Sequence, residues 1–456
     1  MINKLPNGPS HPAWWQLICW IQDSFSYLKE CAKSYGDVFT LRIKGVPPLV
    51  VIGHPLGVKE VLSQEPNKFD VGRSNYIVRP LVGDNSLVLC DGKRHQQERK
   101  MLMPPFHRQN IQSYAKFICE IANQVADRWQ EGQKIIARKV MREITLEVIL
   151  QVVFGISQGE RYYKIKPLIG EMLDEIDSPL RSSFLFLKFL QRDWGTWIPW
   201  GKFKYCQTQI YKLLQDEINE RRSLPLEKGC DILSLMMSAR DEAGESMNDA
   251  ELKDQLMTLL LAGHDSTATM LSWAFYEILK HPTVLEKLRE ELDFSKNLAP
   301  LEIAKLPYLN AVCQEVLRLH PIGSIIFPRI TKTPMEIMGH YFEAETWLIL
   351  SVYLVHHKKE LYLEPEKFKP ERFLEKKYSP YEYFPFGGGN RKCLGVALAD
   401  LEMKLVLASI ISKFELTLAS KKSVKPQRRG ISISPTGGIP LIFQRQRKIF
   451  SNKSLD

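Results

Sequence analysis

Residues 386–395 read Phe386-Gly387-Gly388-Gly389-Asn390-Arg391-Lys392-Cys393-Leu394-Gly395. They match F-x-x-G-x-R-x-C-x-G at every fixed position. At average residue frequencies, chance gives such a match in on the order of one in ten thousand chains of this length. The run is not a dinucleotide fingerprint, because the third glycine of G-x-G-x-x-G is absent and no strand–helix–strand unit surrounds it. Glycines let a backbone pass close to a bulky flat ligand. The apolar run Leu394–Ile411 predicts a helix starting directly after Cys393. A cysteine at a helix N-terminus has its thiolate stabilised by free N–H groups and the helix dipole. Such a thiolate suits an anionic axial ligand to haem iron.

Working outward, apolar residues recur at three- and four-residue spacing in Ile111–Trp129, Ile144–Phe154, Tyr205–Arg222, Leu252–Leu279 and Tyr308–Leu319, which predicts helices. Val38–Ile43 and Leu49–Ile52, separated by Gly45 and Pro47-Pro48, predict a hairpin. Ile325–Ile330, Glu336–Met338 and Trp347–Val352 read as β pieces, and a strand–turn–strand is expected around Ser434–Gly438. Residues 1–12 read as an irregular lead-in. No repeat and no Gly/Ser linker divides the chain. The expected fold class is mainly α with a small β-rich portion. One domain is expected over 1–456, with β-rich pieces at about 38–53, 325–352 and 413–445 and a helical body at about 90–320 and 394–412.

Composition narrows the function. Hydrophobic residues make up 44% and charged residues 25%, so this is a folded chain and not a disordered one. The net charge of +10 favours an acidic partner, an anionic membrane surface or nucleic acid, or is simply a solvated basic surface. The 8 cysteines form no C-x-x-C pair and no disulfide framework, as expected of a reducing compartment. No signal peptide is present, and the apolar stretch Trp14–Leu28 is interrupted by Gln16, Gln22, Asp23 and Ser24, too short and polar to span a bilayer. P-loop, H-E-x-x-H and G-x-S-x-G signatures are missing, and the 10 histidines show no zinc spacing.

With its cysteine loop, the sequence resembles the cytochrome P-450 superfamily of haem-thiolate monooxygenases. Three further motifs follow in the family's order. Glu315-Val316-Leu317-Arg318 is E-x-x-R, weak alone because Glu286–Arg289 repeats it. Pro370-Glu371-Arg372-Phe373 decides between the two: in the family an arginine from this segment joins the Glu–Arg pair, so Glu315, Arg318 and Arg372 are expected in a structural role behind the cysteine loop. Ala262-Gly263-His264-Asp265-Ser266-Thr267 resembles the family's oxygen-activation motif. There Gly263 would leave room for haem and dioxygen, and Asp265 with a following hydroxyl would relay protons. Ser266 stands at the usual threonine position and Thr267 follows, so either hydroxyl is a candidate.

The resemblance implies the P-450 fold, haem b ligated by Cys393 and packed near Phe386, and cations for its two propionates. Asp91–Arg99 resembles the segment that supplies two of these, His95 and Arg99, four apart on one helix face; Arg329 and Arg391 match two more. The implied substrate is lipophilic: a fatty acid, alkane or terpenoid. Residues 184–205 mix Phe184, Phe186, Phe189, Trp194, Trp197 and Trp200 with Lys188, Arg192, Lys202 and Lys204. In the family this region forms a lid, and the mixture suits peripheral membrane contact more than nucleic acid. No flavin- or ferredoxin-like extension follows residue 445, so electrons are expected from a separate ferredoxin or flavodoxin, acidic in charge, in the cytoplasm. Two alternatives are a haem-thiolate isomerase or dehydratase of hydroperoxides, and a non-catalytic haem sensor. The Asp265–Ser266 pair weighs against both.

Overall fold

The computed structural model describes residues 5–177, 181, 184, 190–192, 195–223, 231–429 and 432–447. Phe186, Lys188, Phe189, Trp194 and Cys230 lie outside them.

The predicted helices are present and mostly longer than their periodic cores. They are Arg108–Ala126, Ala137–Val152, Pro199–Ser223, Asp249–Lys280, Pro307–Leu319 and Val396–Lys413. Two more matter for the site, Gly92–Leu102 and Glu160–Asp177. The long helix Asp249–Lys280 opens with a capping box: Asn248 accepts from the Glu251 N–H, and Glu251 accepts from the Asn248 N–H. Leu256, Met257, Leu260 and Leu271 are fully buried along it, so it runs through the helical core with Ala137–Val152 and Val396–Lys413 packed against it.

The largest sheet among the described residues has five strands in the order Val38–Leu41, Leu49–Ile52, Trp347–Leu350, Arg329–Thr331, Phe69–Asp70. The first two form the predicted antiparallel hairpin, and Leu49–Ile52 runs parallel to Trp347–Leu350. Met335–Ile337 pairs with His340–Phe342.

The strand–turn–strand expected around Ser434–Gly438 is present, as Ser432–Pro435, Thr436–Gly438 and Pro440–Gln446, but its two strands do not pair with each other. Ser432–Pro435 pairs back onto Pro426–Arg429, whereas Pro440–Gln446 pairs with Phe414–Leu418 and Lys134–Ile136 in another sheet. Gly437 and Gly438, at φ 73° and 70°, turn the chain from one sheet to the other. Lys134–Ile136 and Phe69–Asp70 are strands too short to show a period.

At the N-terminus the interrupted apolar stretch lies in helix Ala13–Tyr35, which is broken at Asp23 (φ −156°, ψ 87°). Asp23 caps the second half by accepting from the Ser26 N–H (3.1 Å). No helix among the described residues is long and apolar enough to cross a membrane.

Candidate active site

The cysteine loop departs from expectation in one respect. Helix Val396–Lys413 starts two residues later than the expected Leu394 and has Gly395 as its N-cap, so Cys393 stands two residues before the cap. The Cys393 N–H donates to the Phe386 carbonyl (3.0 Å), closing the loop. Gly387 and Gly389 sit at φ 68° and 65°, where only glycine is unstrained, and a Cβ on Gly388 would come within 2.6 Å of Leu62 Cδ1. The turn therefore favours glycine at 387 and 389, and a side chain at 388 would have to displace the tip of Leu62. The Cys393 side chain is accessible although protein packs densely around it, as for a group lining an internal cleft. Burial pushes its thiol up, and the Gly395 N–H, Arg99 and Lys392 offset this only in part. The helix start does not by itself hold a thiolate here. A bound metal cation deprotonates a coordinating thiol outright.

Midway along Asp249–Lys280, Ala262 is exposed and Ser266 half-buried, on one face a turn apart. The Ser266 hydroxyl donates to the Ala262 carbonyl (2.5 Å). Thr267, rotated about 100° further along the helix, is buried at 1% exposure. Gly263 faces the neighbouring helix, where a Cβ would stand 3.2 Å from Ile149 Cδ1. It serves close helix packing, while Ala262 is the small residue on the accessible face. Asp265 is held from both sides: Oδ1 pairs with Arg138, and Oδ2 accepts from the Ser432 hydroxyl (2.8 Å).

His95 and Arg99 lie a turn apart on Gly92–Leu102, and Arg329 opens the strand Arg329–Thr331. His95 is buried, its Nδ1 has no partner, and burial with Arg391 and Arg99 nearby lowers its pKa to about 3. Arg329 is buried; burial first, then Arg391, lowers its pKa to about 10. Its hydrogen bond is a long one to the Gly388 carbonyl (3.5 Å). Arg99 donates to the Lys392 carbonyl (2.8 Å) and lies close enough to Cys393 to interact with it electrostatically. Among the described residues no carboxylate pairs with His95, Arg99 or Arg329. Arg391 differs. Its Nη2 binds Asp91 Oδ1 (2.6 Å) and the Cys90 carbonyl, leaving only a buried, unpartnered Nε.

Behind the loop, Glu315, Arg318 and Arg372 meet in full burial. Glu315 accepts from Arg318 Nε (2.6 Å) and Nη2 (2.9 Å), from Arg372 Nε (3.0 Å) and from the Lys369 N–H (2.9 Å). Arg318 also donates to the His356 carbonyl (2.8 Å), and His356 Nε2 accepts from the Phe384 N–H (3.0 Å) two residues before the loop. The competing Arg289 donates to the Phe414 carbonyl instead, with Glu286 exposed.

The profile described as "Cytochrome P450" matches residues 6–442. The chain belongs to the cytochrome P450 family. It is 33% identical over 446 residues to cytochrome P450 135B1 of Mycobacterium bovis, covering 98% of this chain and 92% of that one. To cytochrome P450 135A1 of Mycobacterium tuberculosis it is 32% identical over 453 residues, 98% and 96% covered. In structure it is similar to "Retinoic acid bound cyanobacterial CYP120A1", with TM-score 0.84, 25% identity and coverage of 97% and 100%.

This P450 is thus a monooxygenase of the P450 fold that holds haem b through a cysteine thiolate. The residues present fit that group. An accessible thiol inside packed protein stands beside buried Arg329 and half-buried Arg99, which have no carboxylate partner among the described residues, and beside the unpartnered Nδ1 of His95, as two propionates require. Reading the sequence missed Arg138 and Ser432. They lie 127 and 167 positions from Asp265, and neither stands in a motif.

Proposed function

We propose that Cys393 is the iron ligand of this P450, and that the enzyme inserts one oxygen atom of dioxygen into a lipophilic substrate such as a fatty acid, alkane or terpenoid. The observation that carries this is the accessible Cys393 thiol, interacting with Arg99 and set near Arg329 and the unpartnered His95 Nδ1, none of which pairs with a carboxylate among the described residues. The retinoic acid bound by the similar cyanobacterial protein is itself lipophilic, which supports the substrate class. When bound, the haem supplies the activation of dioxygen. The chain's own residues do the rest. His95 Nδ1, Arg99 and Arg329 hold the propionates, with Arg391 joining through Nε. Asp265 moves a proton to the Ser266 hydroxyl, which the Ala262 carbonyl holds on the accessible face.

Electrons come from a separate acidic protein of ferredoxin or flavodoxin type, and the enzyme works in the cytoplasm or against a membrane surface. Exposed Trp14, Trp15, Ile18 and Ile21 on helix Ala13–Tyr35 and exposed Trp197 support surface contact. Phe184 does not, being packed on Trp200 and Phe203. Cys393→His is the test. It keeps some haem but loses the strongly red-shifted Soret band of the ferrous–CO complex. A retained band overturns the ligand assignment.

A further inference from the structure

Two aspartates share one guanidinium beside the long helix. Arg138, on helix Ala137–Val152, donates Nη1 to Asp177 Oδ2 (2.9 Å), and its Nη2 bridges Asp177 Oδ1 and Asp265 Oδ1. Asp177 is the last residue of helix Glu160–Asp177. The surrounding groups complete the set. Arg429 Nη1 reaches Asp177 Oδ2 (3.3 Å), and Arg142 Nη1 lies 3.8 Å from it. Arg142 also pairs with exposed Asp174 (3.1 Å), stands 4.0 Å from Asp265 and donates to His264 Nε2 (3.4 Å). His264 is buried and bonded to Thr145. On the far side of Asp265, Ser432 donates from the strand that pairs with Arg429.

The two carboxylates are not equivalent. Asp177 takes Arg138 in a two-point fork and adds Arg429, so Arg138 stays anchored when Asp265 turns away. Removing the last carboxylate from a buried guanidinium is strongly unfavourable, but here one always remains. Asp265 meets Arg138 through a single oxygen. A proton carrier needs that arrangement: oriented at rest, yet free to rotate without stranding a buried charge. We propose that Arg138 is a positioning residue for Asp265, and that sharing it with Asp177 ties the freedom of the Asp265 carboxylate to the seating of helix Glu160–Asp177. This rests on Asp265 as the proton carrier.

The test uses the haem-loaded full chain and begins with hydrogen exchange at the last turn of helix Glu160–Asp177. Asp265→Asn leaves Arg138 wholly to Asp177, so exchange there slows by about two- to tenfold, the lower part of the coupling range inside one ion-pair network. In an Arg138→Gln background the effect of Asp265→Asn vanishes. Arg138→Lys, which keeps the charge and loses the fork, shrinks it if the glutamine variant folds poorly. Unchanged exchange, or an effect that persists without Arg138, overturns the proposal. The second readout is product formed per reductant consumed. Asp177→Asn leaves Asp265 as the carboxylate in contact with Arg138 and lowers this ratio; in the Arg138→Gln background Asp177→Asn adds nothing further. An equal loss in both backgrounds means a merely structural Asp177 and overturns the proposal. If Asp265→Asn leaves the ratio unchanged, the proton-carrying role itself fails. If it lowers the ratio without any exchange linkage, only the role of Arg138 does.

Discussion

Replacing Glu315 with alanine removes one carboxylate from between two buried guanidiniums. Glu315 and Arg318 are each 0% exposed and Arg372 is 4% exposed, so these contacts are made out of reach of bulk water. Arg318 keeps its bond to the His356 carbonyl and Arg372 its bond to the Leu363 carbonyl (2.9 Å), but neither retains a counter-charge. Stripping one partner from a buried pair costs about 3–5 kcal/mol, and the second arginine places this case near the top of that range. Unfolding entropy of about 2.1 cal/mol/K per residue over 456 residues comes to about 1 kcal/mol/K, so the midpoint should fall by about 4–5 °C. Far-UV dichroism in urea and on heating measures both, with haem content read from the Soret band. Glu286→Ala is the internal control. It alters the other E-x-x-R match, where the glutamate is exposed and unpaired with Arg289, and it should change stability by under about 0.5 kcal/mol. Equal effects of the two substitutions would refute the assignment of Glu315 as the joint behind the cysteine loop.

Other outcomes follow from the same geometry. Ser266→Ala should uncouple the enzyme, giving hydrogen peroxide in place of product, whereas Ser266→Thr should preserve coupling and Thr267→Ala should act mainly on stability, because Thr267 is buried in packing. The ratio of product to reductant in the three variants decides, and uncoupling by Thr267→Ala alone reverses the roles. Apparent donor affinity should weaken with salt, since exposed charges are screened over about 8–10 Å at physiological ionic strength. If the donor docks on the cysteine-loop side, where Lys392, Arg94 and Lys100 lie, Lys392 carries that dependence most directly, because Arg94 is paired with Glu98 (2.6 Å) and Lys100 with Glu242 (3.0 Å). Lys392→Gln should flatten the salt slope more than Lys100→Gln, and the reverse order would move the docking face.

Long periodic segments announced themselves. Leu252–Leu279 and Tyr308–Leu319 carry enough apolar residues to fix a helix face before any tertiary contact is known. Short strands did not. Lys134–Ile136 is three residues long and exists because Pro440–Gln446 lies beside it, so no local pattern announces it. The Ser434–Gly438 turn was visible as glycine chemistry, but a turn does not say whether the next strand returns to its own sheet. At the site, motifs placed Cys393, Asp265 and Glu315, because each lies in a local run. What each touches was not legible. Asp265 takes its partners from residues 138 and 432, and only the fold brings those together.

The two charged clusters near the site handle buried ions in opposite ways. Around Asp265 the arginines in contact have carboxylates: Arg138 between Asp265 and Asp177, Arg142 on Asp174, Arg429 on Asp177. Burial works against the Arg138 charge, yet its aspartate partners prevail and the guanidinium is held above its ordinary value. At the other cluster the balance is reversed. Burial lowers Arg99, Arg329 and His95, and for Arg329 and His95 a neighbouring cation lowers them further. A fold that buries Arg329, half-buries Arg99 and leaves the His95 Nδ1 unpartnered, with no anion beside them, is incomplete in energetic terms at that place. An anionic group that binds the folded chain and not the unfolded one supplies the missing charge and adds its binding free energy to stability. The two propionates of haem b are such a group. On the proposed assignment the residues that would hold the cofactor also make the folded state depend on it, while the paired cluster around Asp265 needs nothing added to balance its charge.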